Sequence, residues 1–148
     1  MKVTSSRYFQ RKYICWKQCF ENLQKALKRL QRGILLDEPN DLELQGIKSF
    51  EFSFELAWKT LKDYLESQGV LASFPREVLK LAFQHGILDQ GKIWEEMLEQ
   101  RNLLAHTYDE ALAQKSHHLI RNTYGGELEK LQHYFENLLR EEQDGSTP

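Results

Sequence analysis

In every long segment of this chain, apolar side chains recur at three- and four-residue intervals, the period of a helix buried along one face. A half-buried strand needs alternation at every second residue, and no segment keeps it. Eight Gly and three Pro among 148 residues are too few for the many tight turns of a sandwich or barrel. The expectation is an all-α fold: an antiparallel up-and-down bundle of four main helices plus short ones. The length is that of one domain with a real core. It is expected over residues 9–140, between a loose N-terminus (1–8) and a disordered tail (141–148).

Trp16, Phe20, Leu23, Leu27 and Leu30 predict a first helix over residues 9–31, with Gly33 as its C-terminal cap. Pro39 breaks the connection that follows. Residues 41–68 predict a second helix with Ile47, Phe50, Phe54, Ala57, Trp58, Leu61 and Leu65 on its inner face and Gly69 beyond its end. Pro75 suits the first position of a short third helix. Phe74 occupies the capping position, so a cap worth on the order of 1 kcal/mol is missing, and Ser73 is the nearest substitute. His85-Gly86 ends this helix, with His85 read as a cation near the last carbonyls. A fourth helix begins near Asp89 and Gly91. Asp109 reads as the N-cap of a fifth, with Leu112, Leu119 and Ile120 on its buried side. Gly125-Gly126 are expected to kink or split it, and Leu128, Leu131, Phe135 and Leu138 continue it to about residue 140.

The end of the fourth helix is the unusual stretch. At about 100° per residue, Trp94, Met97, Leu98, Leu104 and Ala105 share one stripe, and Arg101 falls near its middle. A guanidinium keeps its charge and is costly to bury alone. Glu51 lies inside the edge of the second helix's apolar face, and Glu55 lies one turn on, nearer the boundary. One of the two is expected to approach Arg101, within a chain or across a dimer. Asn102 and His106, four apart, form an adjacent face, and Tyr108 lies on nearly the same line as Arg101. Taken alone, these residues fit a plainer account: a salt-bridge partner, a helix-end cap and a core aromatic.

The spacing Arg-x4-His-x-Tyr at Arg101, His106 and Tyr108 stands in a wider context. Three blocks occur in order: QGIKSFEFSFELAWKTLKDYLESQG (45–69), PREVLKLAFQHGILD (75–89) and WEEMLEQRNLLAHTYDE (94–110). Together they resemble the HEPN family, in the branch encoded beside minimal nucleotidyltransferases and often labelled nucleotidyltransferase substrate-binding proteins. Arg-x4-His alone is a weak pattern; three ordered blocks with Thr-Tyr-Asp after the His are specific. The resemblance implies a metal-independent endoribonuclease that acts as the toxin of a toxin–antitoxin pair. It implies a homodimer with a composite site in the cleft between protomers, Arg101 and His106 being catalytic. It also implies that the cognate nucleotidyltransferase antitoxin attaches AMP to Tyr108. Asn102, Glu51 and Glu55 are the supporting residues. The older label implies an alternative, a non-enzymatic nucleotide- or substrate-binding subunit of a nucleotidyltransferase. A purely structural helical adaptor is a third reading.

The chemistry agrees with the first of these. An imidazole of ordinary pKa about 6.5 can accept and return a proton near neutrality. An Arg fork matches phosphate oxygens. Together they can cleave RNA through its own 2′-hydroxyl, with no cofactor and no metal. Arg101 and His106 are five apart and point about 140° away from each other on a regular helix. A two-fold dimer that pairs the motif helices can bring one chain's His106 to the other's Arg101.

Other features bound the partners. Cys15 and Cys19 are one turn apart without His or Cys neighbours and read as reduced, small apolar residues. His117, His118 and His133 lack the spacing of metal ligands, and no Gly-rich phosphate loop occurs. No apolar run is long enough for a membrane span and no signal pattern opens the chain, so a cytoplasmic location is expected. Residues 1–33 hold nine Lys and Arg against Glu21 alone, a net of +8, which leaves −10 for the rest of a chain of formal charge −2. A basic first helix could attract phosphates or an acidic partner, and a solvated face offset by acidic neighbours accounts for it equally well. The overall balance argues against broad, tight, non-specific nucleic-acid binding.

Overall fold

The computed structural model describes residues 5–35, 41–106 and 109–145. Among these residues there is no strand. The elements are α1 (Ser5–Leu35), α2 (Asp41–Ser67), α3 (Pro75–Gln84), α4 (Gly91–His106), α5 (Glu110–Leu119), a π turn (Ile120–Tyr124) and α6 (Gly125–Gln143). Contacts between helices give their directions. Lys12 near the start of α1 meets Asp63 and Glu66 near the end of α2, while Arg29 shares a groove with Lys48, so the two are antiparallel. Lys17 pairs with Glu142 and Gln31 with Glu129, so α6 runs antiparallel to α1. Ser116 bonds Gln100, and Tyr124 feels Glu96 and Glu99, so the last helical stretch also opposes α4. The result is the expected up-and-down bundle, with α3 as a short bridge. No described helix is long and apolar enough to cross a membrane.

Aromatic residues fill the core. Trp16 meets Tyr64 edge-on at 5.3 Å and Phe135 at 5.1 Å. Phe50 stacks on Tyr124 at 5.5 Å, and Phe54 lies 6.1 Å from Trp94. Trp16, Phe50, Phe54, Trp94 and Phe135 are all buried. Each contributes roughly 1.5–3 kcal/mol by leaving water. One buried carboxylate sits at the edge of this core. Glu66 accepts from Lys62 at 2.6 Å, from the Tyr8 hydroxyl at 3.1 Å and lies 3.0 Å from Lys12, which ties the start of α1 to the end of α2.

Two helix ends follow the sequence closely. Past α2, Gly69 has φ 84, its N–H bonds the Glu66 carbonyl, and the Val70 N–H reaches back to Leu65 at 2.8 Å. Past α3, Gly86 has φ 76, bonds Phe83, and the Ile87 N–H reaches Ala82 at 2.9 Å. Both are Schellman closures, which need a left-handed residue that only Gly adopts without strain. At the start of α3, Phe74 gives no side-chain cap. Ser73 takes part through its backbone N–H, which donates to Glu77 at 3.2 Å, and not through its hydroxyl.

Other boundaries differ from expectation. α1 begins at Ser5, so residues 5–8 are helical, and the Tyr8 hydroxyl donates to Glu66. It also passes through Gly33 to Leu35, because one Gly inside a long packed helix costs only about 1 kcal/mol. At the other end α6 continues to Gln143, with Glu142 held by Lys17, so the start of the expected tail is structured. Residues 1–4, 36–40 and 146–148 lie outside the described residues. Asp109 is the N-cap of α5, its carboxylate accepting from the Ala111 N–H at 2.9 Å. The buried side of α5 is Ala113 and Ser116, with Leu119 only partly buried. The expected break falls at the glycines' N-terminal side: a π turn separates α5 from α6, which begins at Gly125. Leu119, Ile120, Tyr124 and Gly125 are all right-handed helical, and the irregularity is the π turn just before the glycines.

Candidate functional site

Packing between α2 and α4 builds the site. Phe54 and Trp94 hold the two helices together, and Met97 and Leu98 extend the buried face of α4. Burial then fades: Leu104 is half-buried and Ala105 is exposed. The expected apolar stripe therefore closes before Ala105, and Arg101 sits at its margin instead of its middle, with 27% of its side chain exposed. The helix turns out toward solvent here, and the margin of a core is where a guanidinium can be held without full desolvation.

Arg101 Nη2 donates to Glu55 Oε2, and Nη1 donates to Asn102 Oδ1 at 3.0 Å. The other Glu55 oxygen lies 3.8 Å from Lys59. A partly exposed pair of this kind is worth about 1 kcal/mol or less, so its main effect is to orient the fork. A guanidinium has five N–H donors. Among the described residues, Glu55 and Asn102 take one each.

Glu51 takes a different part. It makes no direct bond to Arg101, and burial pushes its carboxyl up even though Arg101 and Lys48 both pull it down. The contact goes to Glu55 because that residue, one turn further along α2, comes level with Arg101.

His106 is the last residue of α4 and is exposed, as is Asn102. Between Arg101 and His106 the helix is regular, so the two side chains leave it about 140° apart. Tyr108 and Thr107 lie outside the described residues; the residues that bracket them, His106 and Asp109, are both exposed.

Residues 18–137 match the model of a family described as nucleotidyltransferase substrate binding protein like. The chain belongs to this family. The match takes in α2 to α5 whole and with them Glu51, Glu55, Arg101, Asn102 and His106. The chain is also similar to a protein from Thermus thermophilus known from a crystal structure. The two are 31% identical with a TM-score of 0.68, and the likeness covers 74% of this chain and 94% of that one. None of the curated proteins matches it.

Two neighbours of the site were not singled out from the sequence. Lys48, three residues before Glu51 on α2, pulls its carboxyl down as Arg101 does. Phe52 is 55% exposed on α2, in the middle of a Phe-x-Phe-x-Phe run whose outer members are buried. The signal was available, since a residue two positions from Phe50 points about 200° away from it on a helix. In this family member, then, the α2–α4 seam carries Arg101 on Glu55, His106 is exposed at the end of α4, and Phe52 is exposed on α2 beside α1.

Proposed function

We propose that this chain works with a nucleotidyltransferase and is itself a metal-independent endoribonuclease of the HEPN kind, the toxin of a toxin–antitoxin pair. The observation that carries the reading is the setting of Arg101, a partly exposed cation oriented by Glu55 and Asn102, on the same short helix end as an exposed His106.

The proposed active unit is a two-fold homodimer that pairs the ends of α4, because a 140° divergence keeps one helix from aiming both groups at one phosphate. His106 takes the proton of an RNA 2′-hydroxyl. The 2′-oxygen attacks the adjacent phosphorus, and the bond from phosphorus to the 5′-oxygen breaks. The proton returns to that leaving oxygen, giving a 2′,3′-cyclic phosphate and a 5′-hydroxyl. Arg101 stabilises the charge on the non-bridging oxygens. Each AMP attached to Tyr108 by the cognate enzyme would add a phosphate and a bulky nucleoside close to His106 in sequence, filling the Arg101 donors and blocking the cleft.

The family's description favours a second reading, a non-enzymatic subunit that presents nucleotide or substrate to the nucleotidyltransferase. One set of measurements separates them. Purified wild type should cut RNA in chelator, and His106→Ala and Arg101→Ala should each lose at least about a hundredfold in rate, the usual scale for an acid–base or charge-stabilising group. Incubation with the cognate enzyme and ATP should add AMP to wild type by intact mass and none to Tyr108→Phe. No cleavage, with nucleotide binding that survives His106→Ala, would establish the second reading. Cleavage only with added divalent metal would refute the mechanism.

A further inference from the structure

We infer that the C-terminal half of α1 and the exposed face of α2 form a track for single-stranded RNA that leads to Arg101. The inference rests on the ribonuclease reading and names how its substrate arrives. Lys25, Lys28, Arg29 and Arg32 all lie on α1 outside the core and fall within an arc of about 100°. None of the four pairs with a described carboxylate. In the first half of the same helix Lys12 is tied to Asp63 and Glu66, and Lys17 to Glu142, while Arg7 and Arg11 are exposed and pair with no described carboxylate either. The basic excess read from the sequence is thus matched in part near the start of α1 and by no described carboxylate in its C-terminal half.

The C-terminal half of α1 borders a groove. Ala26 and Arg29 of α1 face Lys48, Ser49 and Phe52 of α2 across about 240 Å³. Two cations and an exposed aromatic ring share this small space. Phosphate-binding cations beside a ring on which a base can stack are the elements of single-strand recognition. A helix about 10 Å across with its side chains could not lie in so small a groove, which argues against a helical protein segment as its occupant. An acidic partner would use the cations and leave Phe52 without a role.

Glu55 connects the groove to the site. It accepts from Arg101 and lies one turn beyond Phe52 on α2. A strand stacked on Phe52, with phosphates at Arg29 and Lys48, therefore passes within a helical turn of the carboxylate that holds Arg101. Glu21, one turn before Lys25 on the same side of α1, closes the basic stripe at its far end. The track is local, in keeping with an acidic remainder that disfavours broad binding.

The test uses the full chain carrying His106→Ala, in chelator, with a fluorescein-labelled single-stranded oligouridylate read by anisotropy across a salt series. The double change Lys25→Gln/Arg29→Gln and the single change Lys48→Gln should each weaken binding and flatten the salt slope by about 0.7 per cation removed. Phe52→Ala should weaken binding about tenfold with the slope unchanged, as loss of a stacked base requires. Circular dichroism melts confirm that these surface variants remain folded. If the His106→Ala parent binds the oligomer and every track variant binds it equally well, the track is wrong and the ribonuclease reading stands. If the unsubstituted chain neither binds nor cuts RNA, the ribonuclease reading falls and takes the track with it. Variants that keep RNA but lose the nucleotidyltransferase would overturn the track in favour of a protein partner.

Discussion

Glu51 and Glu66 ride the same helix and titrate in opposite directions. Burial alone would raise Glu66, but hydrogen bonds from Lys62, Lys12 and Tyr8 outweigh it and the net shift is down. A carboxylate lowered by folding contributes stability that is complete above its unfolded pKa and is lost as pH falls through the folded value. For Glu51 burial prevails over Arg101 and Lys48, and the shift is up from 4.5. Its contribution is present below the unfolded value and lost as pH rises through the folded one, so at neutral pH the charged group works against the fold. Glu51→Gln should therefore raise the melting temperature near neutrality, with the gain vanishing below about pH 4. Glu66→Gln should lower stability by about 2 kcal/mol near neutrality, since Lys12 and Lys62 lose a buried acid, and the loss should shrink on acidification. Melts followed by circular dichroism across this range decide both; a difference independent of pH for either variant would contradict the assignment.

At the scale of elements, the π turn has a cause that can be read from spacing. Ser116, Ile120, Tyr124 and Leu128 are all buried and are each four residues apart. On a regular helix every such step drifts by about 40°, so three would carry the stripe well off the core. The wider turn over Ile120–Tyr124 takes up the excess and keeps Tyr124 on Phe50. Burial there pushes the Tyr124 hydroxyl up to about 12, with Glu96 and Glu99 adding to it. Deleting Asn122, exposed within the turn, converts the spacing to an ordinary helical one and should leave a cooperatively folded protein. Deleting Gln132, inside α6, rotates everything after it by about 100° and should abolish cooperative melting. If the two deletions are equally harmful, the π turn has another origin.

For the whole molecule, the relation of Arg101 to His106 points beyond one chain. A homodimer built on the ends of α4 is expected by light scattering at micromolar concentration, and Leu103, 47% exposed between the two motif residues, is the side chain it would cover. Leu103→Glu should shift the protein to monomers and reduce RNA cleavage together. A stable monomer in the wild type would count heavily against a composite site, as would a monomeric variant with full activity.

The class of fold and most helix ends are legible in the residue order, because period and cap are local demands. Gly69 and Gly86 follow the last turn of their helices at positions that need a positive φ, and Asp109 precedes α5 with a carboxylate in reach of its first free N–H groups. Gly33 misled because a glycine permits a stop without requiring one, and α1 runs on to Leu35. The charge at Arg101 could be read as needing an acid, yet either Glu51 or Glu55 would have served. Only the placement of α4 on α2 chose Glu55 and left Glu51 half-buried. The same holds for α1, whose cations look alike in the sequence. Which of them meet carboxylates depends on the helices laid beside them: Lys12 and Lys17 face the acidic ends of α2 and α6, whereas Lys25, Lys28, Arg29 and Arg32 face outward. Partners far apart in the chain are set by the crossing of helices, and no local pattern records it.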